Sequence, residues 1–267
     1  MVDYIQTGFK LKPMKKAFSS WQEKINGRAW NTLYLENHDH PRIISRYGSE
    51  KYRTESGKML ANMYMLQQGT AFVYQGQEIG MLNTKLDSLD EYVDVFMKNN
   101  YKVAKDRVHM KEEKCREWAI KSTRDNARTP VQWDDSENAG FTTGKPWFPV
   151  NKNYKEINVK NEQENPNSIL NHYKKLIEFK RTNKTAIYGD YKEHYKNSDK
   201  LFVYERNYQG ERLLVINSFS DKREPFEAPD GFDLEKGKAI LCNYDNPTVQ
   251  GNGFKLKPYE TRVYLFK

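Results

Sequence analysis

From Pro13 to Ile25 apolar side chains recur at three- and four-residue steps, at Met14, Ala17, Phe18, Trp21 and Ile25. That spacing predicts an amphipathic helix with proline in its first turn, closed by Asn26-Gly27. The period then shortens. Trp30 to Leu35 is an apolar run of strand length, and it ends in Glu36-Asn37-His38-Asp39-His40-Pro41-Arg42. Pro41 cannot donate to a ladder, so the strand stops before it. A second helical pattern, Thr54 to Gln68, carries Met59, Leu60, Met63 and Leu66 on one side and ends at Gly69. Thr70 to Tyr74 follows as a near-continuous apolar strand of the kind covered on both faces. Helix, strand, helix, strand, with polar loops after both strands, predicts consecutive α/β units.

Residues 82–122 are charged and read as helical, with Tyr92, Val95, Tyr101 and Val103 as intermittent apolar contacts. Residues 124–161 form a long polar loop, a length that usually carries function. Asn167 to Thr182 is again helical, marked by Ile169, Leu170, Tyr173, Leu176 and Ile177. After Asn183 the pattern changes to short alternating strands at Leu201–Arg206, Arg212–Phe219, Lys238–Cys242 and Glu260–Phe266, the first two joined by a turn at Tyr208-Gln209-Gly210-Glu211. The expected division is therefore an α/β part over residues 1–184 and a small antiparallel β-sandwich over residues 185–267.

Composition narrows the function classes. At 267 residues the chain can bury a real core. A mean hydropathy of -0.96 and the lack of any apolar run of about 18 residues argue against a membrane protein. The net charge of +8 raises a nucleic-acid reading, but the lysines are scattered and no reader motif accompanies them. Cys115 and Cys242 lie far apart without metal-ligand or disulfide-framework spacing. Met1-Val2-Asp3-Tyr4 has neither the basic nor the apolar region of a leader, so a cytoplasmic protein is expected.

The chemistry concentrates at strand ends. His38 and Asp39 place an imidazole and a carboxylate side by side, either as a solvated turn or as a site at the carboxyl end of a strand. Arg124 and Arg128 flank Asp125 four residues apart, which suits either a pinned loop or guanidinium forks that orient hydroxyls and carboxylates. Gln132-Trp133-Asp134-Asp135 and Phe141–Trp147 add acids and aromatics, equipment for holding a sugar ring or for packing the loop. Gln75, Gln77 and Glu78 could line a pocket, or Glu78 could sit at a helix start.

Together these stretches resemble the α-amylase superfamily of glycoside hydrolases, and within it the oligo-1,6-glucosidase group of α-glucosidases. Asn37-His38-Asp39-His40-Pro41-Arg42 with Ser45-Arg46-Tyr47-Gly48 is similar to the region after the seventh barrel strand of that family. Tyr74-Gln75-Gly76-Gln77-Glu78-Ile79-Gly80-Met81 resembles the segment after strand eight, and Arg124-Asp125-Asn126-Ala127-Arg128-Thr129-Pro130-Val131-Gln132-Trp133 a loop of the subgroup. The likeness covers nearly the whole chain and is strongest through residue 182. It implies the C-terminal part of a (β/α)8 TIM barrel, about two strands and their helices, followed by the β-sandwich. It implies Asp39 as the carboxylate that stabilises the oxocarbenium-like transition state, and His38 and Arg124 as contacts to the terminal glucose, with Arg128 as a loop anchor. Two departures stand out: Glu91-Tyr92-Val93-Asp94 lacks an arginine at its third position, and His40 replaces a glutamine.

Retaining glycosidases also need a nucleophilic carboxylate and an acid/base carboxylate. By this resemblance both come from strands that precede the present residues. The chain is therefore expected to be a C-terminal fragment, inactive alone, whose partners are a small oligosaccharide and the N-terminal half of the barrel, with no nucleic acid or membrane. No cofactor is implied, and no acidic cluster replaces the calcium that some relatives hold near their first strands. A non-catalytic carbohydrate-binding or complementing subunit, and a piece of a trehalose-6-phosphate hydrolase or sucrose isomerase, are the alternatives.

Overall fold

A computed structural model describes residues 9–245 and 251–267; Met1–Tyr4, read above for a leader, lie outside the described residues. In chain order the elements are α1 (Leu11–Ile25), β1 (Thr32–Leu33), α2 (Ile43–Tyr47), α3 (Arg53–Met65), β2 (Thr70–Ala71), α4 (Val95–Asp106), α5 (Glu112–Ser122), α6 (Val159–Glu164), α7 (Ile169–Thr182) and α8 (Lys184–Tyr188). The strands β3 (Asp190–His194), β4 (Leu201–Tyr208), β5 (Glu211–Ser218), β6 (Glu224–Glu227), β7 (Lys238–Cys242), β8 (Gly253–Leu256) and β9 (Thr261–Phe266) follow. Three single-turn 3-10 helices sit at Leu89–Glu91, Arg124–Ala127 and Glu137–Gly140. The described residues fall into two compact units that interleave along the chain: residues 35–50 with 73–171, and residues 9–34 and 51–72 with 172–267.

In the second unit β1 and β2 pair in parallel, Thr32 opposite Thr70 and Leu33 opposite Ala71, as the α/β pattern requires. Both are shorter than the apolar runs that predicted them. Trp30, Tyr34, Phe72 and Val73 are exposed, so the expectation that Thr70–Tyr74 is covered on both faces is not met. Each strand pairs only with the other among the described residues, and a two-stranded ladder leaves the ends of both runs unpaired.

The large sheet has the order β3-β4-β5-β9-β7, with every pairing antiparallel. The turn at Gln209-Gly210 is the two-residue hairpin expected, with both residues at positive φ, as a primed turn requires. On one face Leu201, Val203, Leu214, Ile216 and Tyr264 pack with Phe226, Phe232, Leu234 and Leu256, from the stretch that includes the β6–β8 pair. On the other face Phe202, Tyr204 and Arg206 are buried, and the Tyr204 hydroxyl donates to the Met63 carbonyl of α3 at 2.9 Å. The alternation expected for these strands is therefore absent from β4 and most of β5, because both faces are covered. Arg206 donates to the carbonyls of Leu66, Ala186 and Gly189, which finish α3 and α8, so a buried cation satisfies groups that helix ends leave open. Burial lowers its pKa to about 10.

Helix α1 forms over the predicted span but turns the unexpected face inward. Its buried residues are Leu11, Lys15, Ser19 and Gln22, while Trp21 is exposed. The reason is hydrogen bonding. Lys15 Nζ donates to the carbonyls of Tyr195, Ser198 and Leu201 and pairs with Glu193 at 3.2 Å. Ser19 donates to Glu193 at 2.6 Å, and Gln22 exchanges two bonds with the Gln68 backbone. A polar stripe whose partners wait on β3, on the loop after it and at Gln68 can be buried; periodicity of apolar residues cannot reveal it.

A buried polar chain runs from α7 to the sheet. His172 Nε2 meets Asn62 Oδ1 at 2.8 Å, Asn62 donates to Thr261, and Thr261 donates to Asn217. Burial, reinforced by Lys58 and Lys175, pushes the His172 imidazole down to about 3. In the unfolded chain the imidazole takes up its proton near pH 6.5. Unfolding therefore binds a proton between about pH 3 and 6.5, and stability falls as pH falls through that window, by at most about 1.4 kcal/mol per unit. Thermal unfolding followed between pH 7 and pH 5 should show a larger drop in Tm for the wild type than for His172→Gln, which keeps a donor without titrating. Parallel pH profiles would contradict the burial of a neutral imidazole.

Candidate active site

The residues singled out at the strand ends lie in the first unit, and a buried arginine organises them. Arg42 has a fully buried side chain. Its Nη1 donates to Glu36 Oε1 at 2.5 Å and to the Gln75 carbonyl at 2.6 Å. Its Nε reaches the Asn126 carbonyl at 3.2 Å, and Nη2 the Ala127 carbonyl at 3.4 Å. Three loops, 36–42, 75–83 and 124–128, are thus tied by one guanidinium. Glu36 accepts a second bond from the Ile43 backbone, and the Arg42 backbone N–H donates to Asn83. Burial raises the Glu36 carboxyl pKa against the opposing pull of Arg42.

Gly76 is required in this knot. It sits at φ +85°, and a Cβ there would meet the Met81 sulfur and crowd Arg42. Tyr74 lies under the Arg42 guanidinium, and its hydroxyl donates to the Ala127 carbonyl at 3.1 Å. Gln77 is buried, with its side-chain oxygen toward the Tyr74 N–H, and Gln75 serves through its backbone. Glu78 is partly buried, and desolvation raises its carboxyl pKa.

After Leu35 and Glu36 the chain turns at Asn37, whose side chain accepts from the Asp39 N–H at 2.8 Å. This Asx turn presents His38 and Asp39 to solvent, their side chains 69% and 48% exposed. Arg128 Nη2 donates to Asp39 Oδ1 at 2.8 Å, and Arg128 Nε donates to the His38 carbonyl at 2.9 Å. His38 Nε2 lies 3.3 Å from the other carboxylate oxygen, Oδ2. Arg124 Nη1 lies 3.7 Å from Oδ1. His38, Asp39 and Arg124 are therefore brought together, and Arg128, read from the sequence as a loop anchor, is nearer to Asp39 than Arg124 is.

Arg124 is held from behind by Asp94. Its Nε and Nη2 donate to Asp94 Oδ1 at 2.9 and 2.6 Å, and its backbone N–H donates to Oδ2 at 2.9 Å. Burial alone would raise the Asp94 carboxyl, but the Arg124 bonds outweigh it and hold the pKa below the usual carboxylate range. The same carboxylate caps α4 by accepting from the Phe96 N–H, while Asp125 accepts from the N–H groups of Val93 and Asp94. Asp94 was missed as a site residue. The arginine–aspartate spacing in sequence is 30 residues, and the signals that could have pointed to it were the cap before Val95 and its place at the end of the Glu91–Asp94 stretch.

Trp133, Phe141 and Trp147 are exposed, so they are not packed core, but no bond ties them to Asp39. Among the described residues no group of three or more His, Cys, Asp or Glu is placed to hold a metal ion. Chemically the arrangement offers a solvent-facing carboxylate steered by two guanidinium groups and an imidazole, with donors and acceptors suited to hydroxyl groups.

Comparison with known proteins shows the family of the chain. Residues 2–189 match the α-amylase catalytic domain model, and residues 201–263 match the C-terminal domain of the α-amylase SusG. An oligo-1,6-glucosidase of Parageobacillus thermoglucosidasius is 43% identical over 97% of this chain, which spans 46% of that protein. A trehalose-6-phosphate hydrolase of Bacillus subtilis is 39% identical over 96% of the chain and 46% of its own length. The crystal structure of Bacillus licheniformis trehalose-6-phosphate hydrolase superposes with a TM-score of 0.91 at 43% identity, covering 98% of this chain and 48% of that one. The isomaltulose synthase of Klebsiella sp. LX3 gives 0.91 at 31% identity, covering 97% of this chain and 47% of that one. The chain thus spans about half the length of the relatives it matches.

The Arg42 knot makes a stability prediction. Arg42→Met leaves the Glu36 carboxylate buried and unpaired and should cost about 3–5 kcal/mol in urea unfolding. The double variant Arg42→Met/Glu36→Leu should recover part of that loss. If the single variant unfolds at the wild-type midpoint, the three loops are held by something else.

Proposed function

The chain belongs to the α-amylase family, and on that premise we propose that it supplies the sugar-gripping part of an α-glucosidase of the oligo-1,6-glucosidase type. The reaction is the retaining hydrolysis of terminal α-1,6-linked glucose in short oligosaccharides. The observation that carries this reading is the convergence of His38, Arg124 and Arg128 on one exposed carboxylate, Asp39. The match to oligo-1,6-glucosidases along 97% of the chain supports it.

In this reading β1 and β2 are two strands of a (β/α)8 barrel, residues 1–184 are its C-terminal part, and residues 185–267 are a β-sandwich. The polar loops after the two strands then lie where barrels carry their chemistry. Asp39 accepts hydroxyls of the terminal glucose and faces the positive charge that develops at the sugar as the glycosidic bond breaks. Arg128 aims it from the Oδ1 side, so little reorganisation is needed when that charge appears. His38 and Arg124 bind hydroxyls of the same ring, and Asp94 keeps the Arg124 fork from swinging away. The nucleophile and the acid/base of a retaining hydrolase come, in this proposal, from the portion of the relatives that the chain does not match. No cofactor is invoked. The free thiols of Cys115 and Cys242 suit a reducing cytoplasm.

A second reading, a trehalose-6-phosphate hydrolase, is favoured by the 43% identity and 0.91 TM-score to the Bacillus licheniformis enzyme. One experiment addresses both. The chain is assayed alone, and then together with the unmatched first half of the Parageobacillus thermoglucosidasius relative, on isomaltose, p-nitrophenyl α-glucoside and trehalose-6-phosphate. The chain alone should show no turnover and the mixture should. Isomaltose hydrolysis supports the first reading and trehalose-6-phosphate hydrolysis the second. In the active mixture Asp39→Asn should lower kcat about 100- to 1000-fold. Turnover by the chain alone, or full activity of Asp39→Asn, overturns the assignment.

A further inference from the structure

The second unit holds a cavity of about 310 Å3 that the glucose-site reading does not use, and none of its residues belongs to the Asp39 cluster. One wall is a face of α1, where Lys12, Lys15, Lys16, Ser19, Ser20 and Glu23 recur at helical steps of three and four. Glu193 of β3 and Lys196 of the loop after it complete the lining. The charges do not balance. Lys15 Nζ lies 3.2 Å from Glu193 and Lys196 Nζ 3.8 Å from Glu23, so each carboxylate already has its cation. Among the described residues Lys12 and Lys16 have no carboxylate partner. They stand four residues apart on one helix, where like charges repel. Two positive charges in one cavity, unpaired and facing solvent, are relieved by a dianion.

The cavity is also fixed in shape by this chain's own bonds. Lys15 gives its ammonium to the carbonyls of Tyr195, Ser198 and Leu201, and Ser19 gives its hydroxyl to Glu193, which holds α1 against β3 and its loop. Tyr195, which precedes Lys196, has a left-handed φ of 53°, uncommon for a bulky residue. That conformation is held from both ends: Lys15 takes the Tyr195 carbonyl, and the Tyr195 hydroxyl donates to the Glu227 carbonyl and accepts from the Glu227 N–H. The Ser20 hydroxyl has no partner among the described residues and remains to donate. A phosphomonoester carries close to two negative charges at neutral pH and three acceptor oxygens, which matches two free ammonium groups and one free hydroxyl. The volume is that of a small-molecule pocket, roughly 300 to 1,000 Å3, and so leaves room for an organic group beside the phosphate.

We propose that the cavity between α1 and the end of β3 binds a small phosphomonoester, its phosphate held by Lys12 and Lys16 with the Ser20 hydroxyl as a third donor. The buried Lys15–Glu193 pair is the floor of the site and makes no bond to the ligand. This site is independent of the glucose-site reading of Asp39.

The test is isothermal titration of the 267-residue chain with glucose 6-phosphate and with inorganic phosphate, at an ionic strength fixed by sodium chloride. Glucose 6-phosphate should bind, and inorganic phosphate should bind more weakly. Lys12→Gln and Lys16→Gln change exposed side chains, so the fold is kept. Each should weaken glucose 6-phosphate binding about threefold and the double variant about tenfold, as loss of one and of two charge-assisted contacts implies. Lys24→Gln, in the last turn of α1 outside the cavity, should change nothing. Asp39→Asn should change nothing either. Absence of binding, or a double variant that binds like the wild type, overturns the proposal. Equal weakening by Lys24→Gln would reduce the effect to diffuse surface charge, and loss on Asp39→Asn would move the ligand to the glucose site; either result overturns it. Inorganic phosphate binding as tightly as the ester would overturn the assignment to an ester. Binding that vanishes when the unmatched first half of the Parageobacillus thermoglucosidasius relative is added would make the cavity an interface and overturn it as well.

Discussion

A guanidinium with no access to water must find acceptors for its donors, and Arg42 finds them on three separate loops. It takes the carboxylate of Glu36 and the carbonyls of Gln75, Asn126 and Ala127. Removing any one of those loops leaves a buried charge short of partners, which is costly in a medium of low dielectric. The segments that present Asp39, Tyr74 and Arg128 are therefore not independent excursions of the chain. They stand or fall with a residue that never meets solvent and has no chemistry of its own to perform.

Around that centre the arginines divide the work by burial. Arg42 is architectural. Arg128 and Arg124 are about one-third exposed, enough to reach Asp39 while their other bonds fix where they point. Arg128 spends one nitrogen on the His38 carbonyl, and Arg124 spends two on Asp94. A side chain with only one remaining direction to offer loses little entropy when a ligand arrives, which is what a preorganised polar site requires. The same economy appears at Asp94, where one carboxylate caps a helix and holds an arginine.

The second unit uses related devices for stability. Arg206 and Lys15 are both buried cations satisfied chiefly by backbone carbonyls: Arg206 by the ends of two helices, Lys15 by the loop after β3 and by Glu193. Burial lowers the pKa of each, with Glu193 opposing at Lys15. These contacts let α1 pack on β3 by its polar stripe and let the central strands bury both faces.

What the sequence determined by itself was local. The spans of α1, α3 and α7, the parallel order of the two short strands, the hairpin at Gln209-Gly210 and the polar corner at His38-Asp39 follow from periodicity, from proline and glycine, and from residue types that turns demand, whereas residues 82–122, read as helical throughout, form α-helices only at Val95–Asp106 and Glu112–Ser122. The motif at 37–42 and the loop at 124–133 also carried the family. Tertiary structure alone decided which face of α1 is buried, why β4 lacks alternation, that Arg128 steers Asp39 more closely than Arg124 does, and that Asp94 stands behind Arg124. Those outcomes depend on partners far away in the chain, 30 residues for Asp94 and about 180 for Lys15. A polar side chain is hidden or exposed according to the acceptors it finds, and no pattern of neighbours in sequence encodes them.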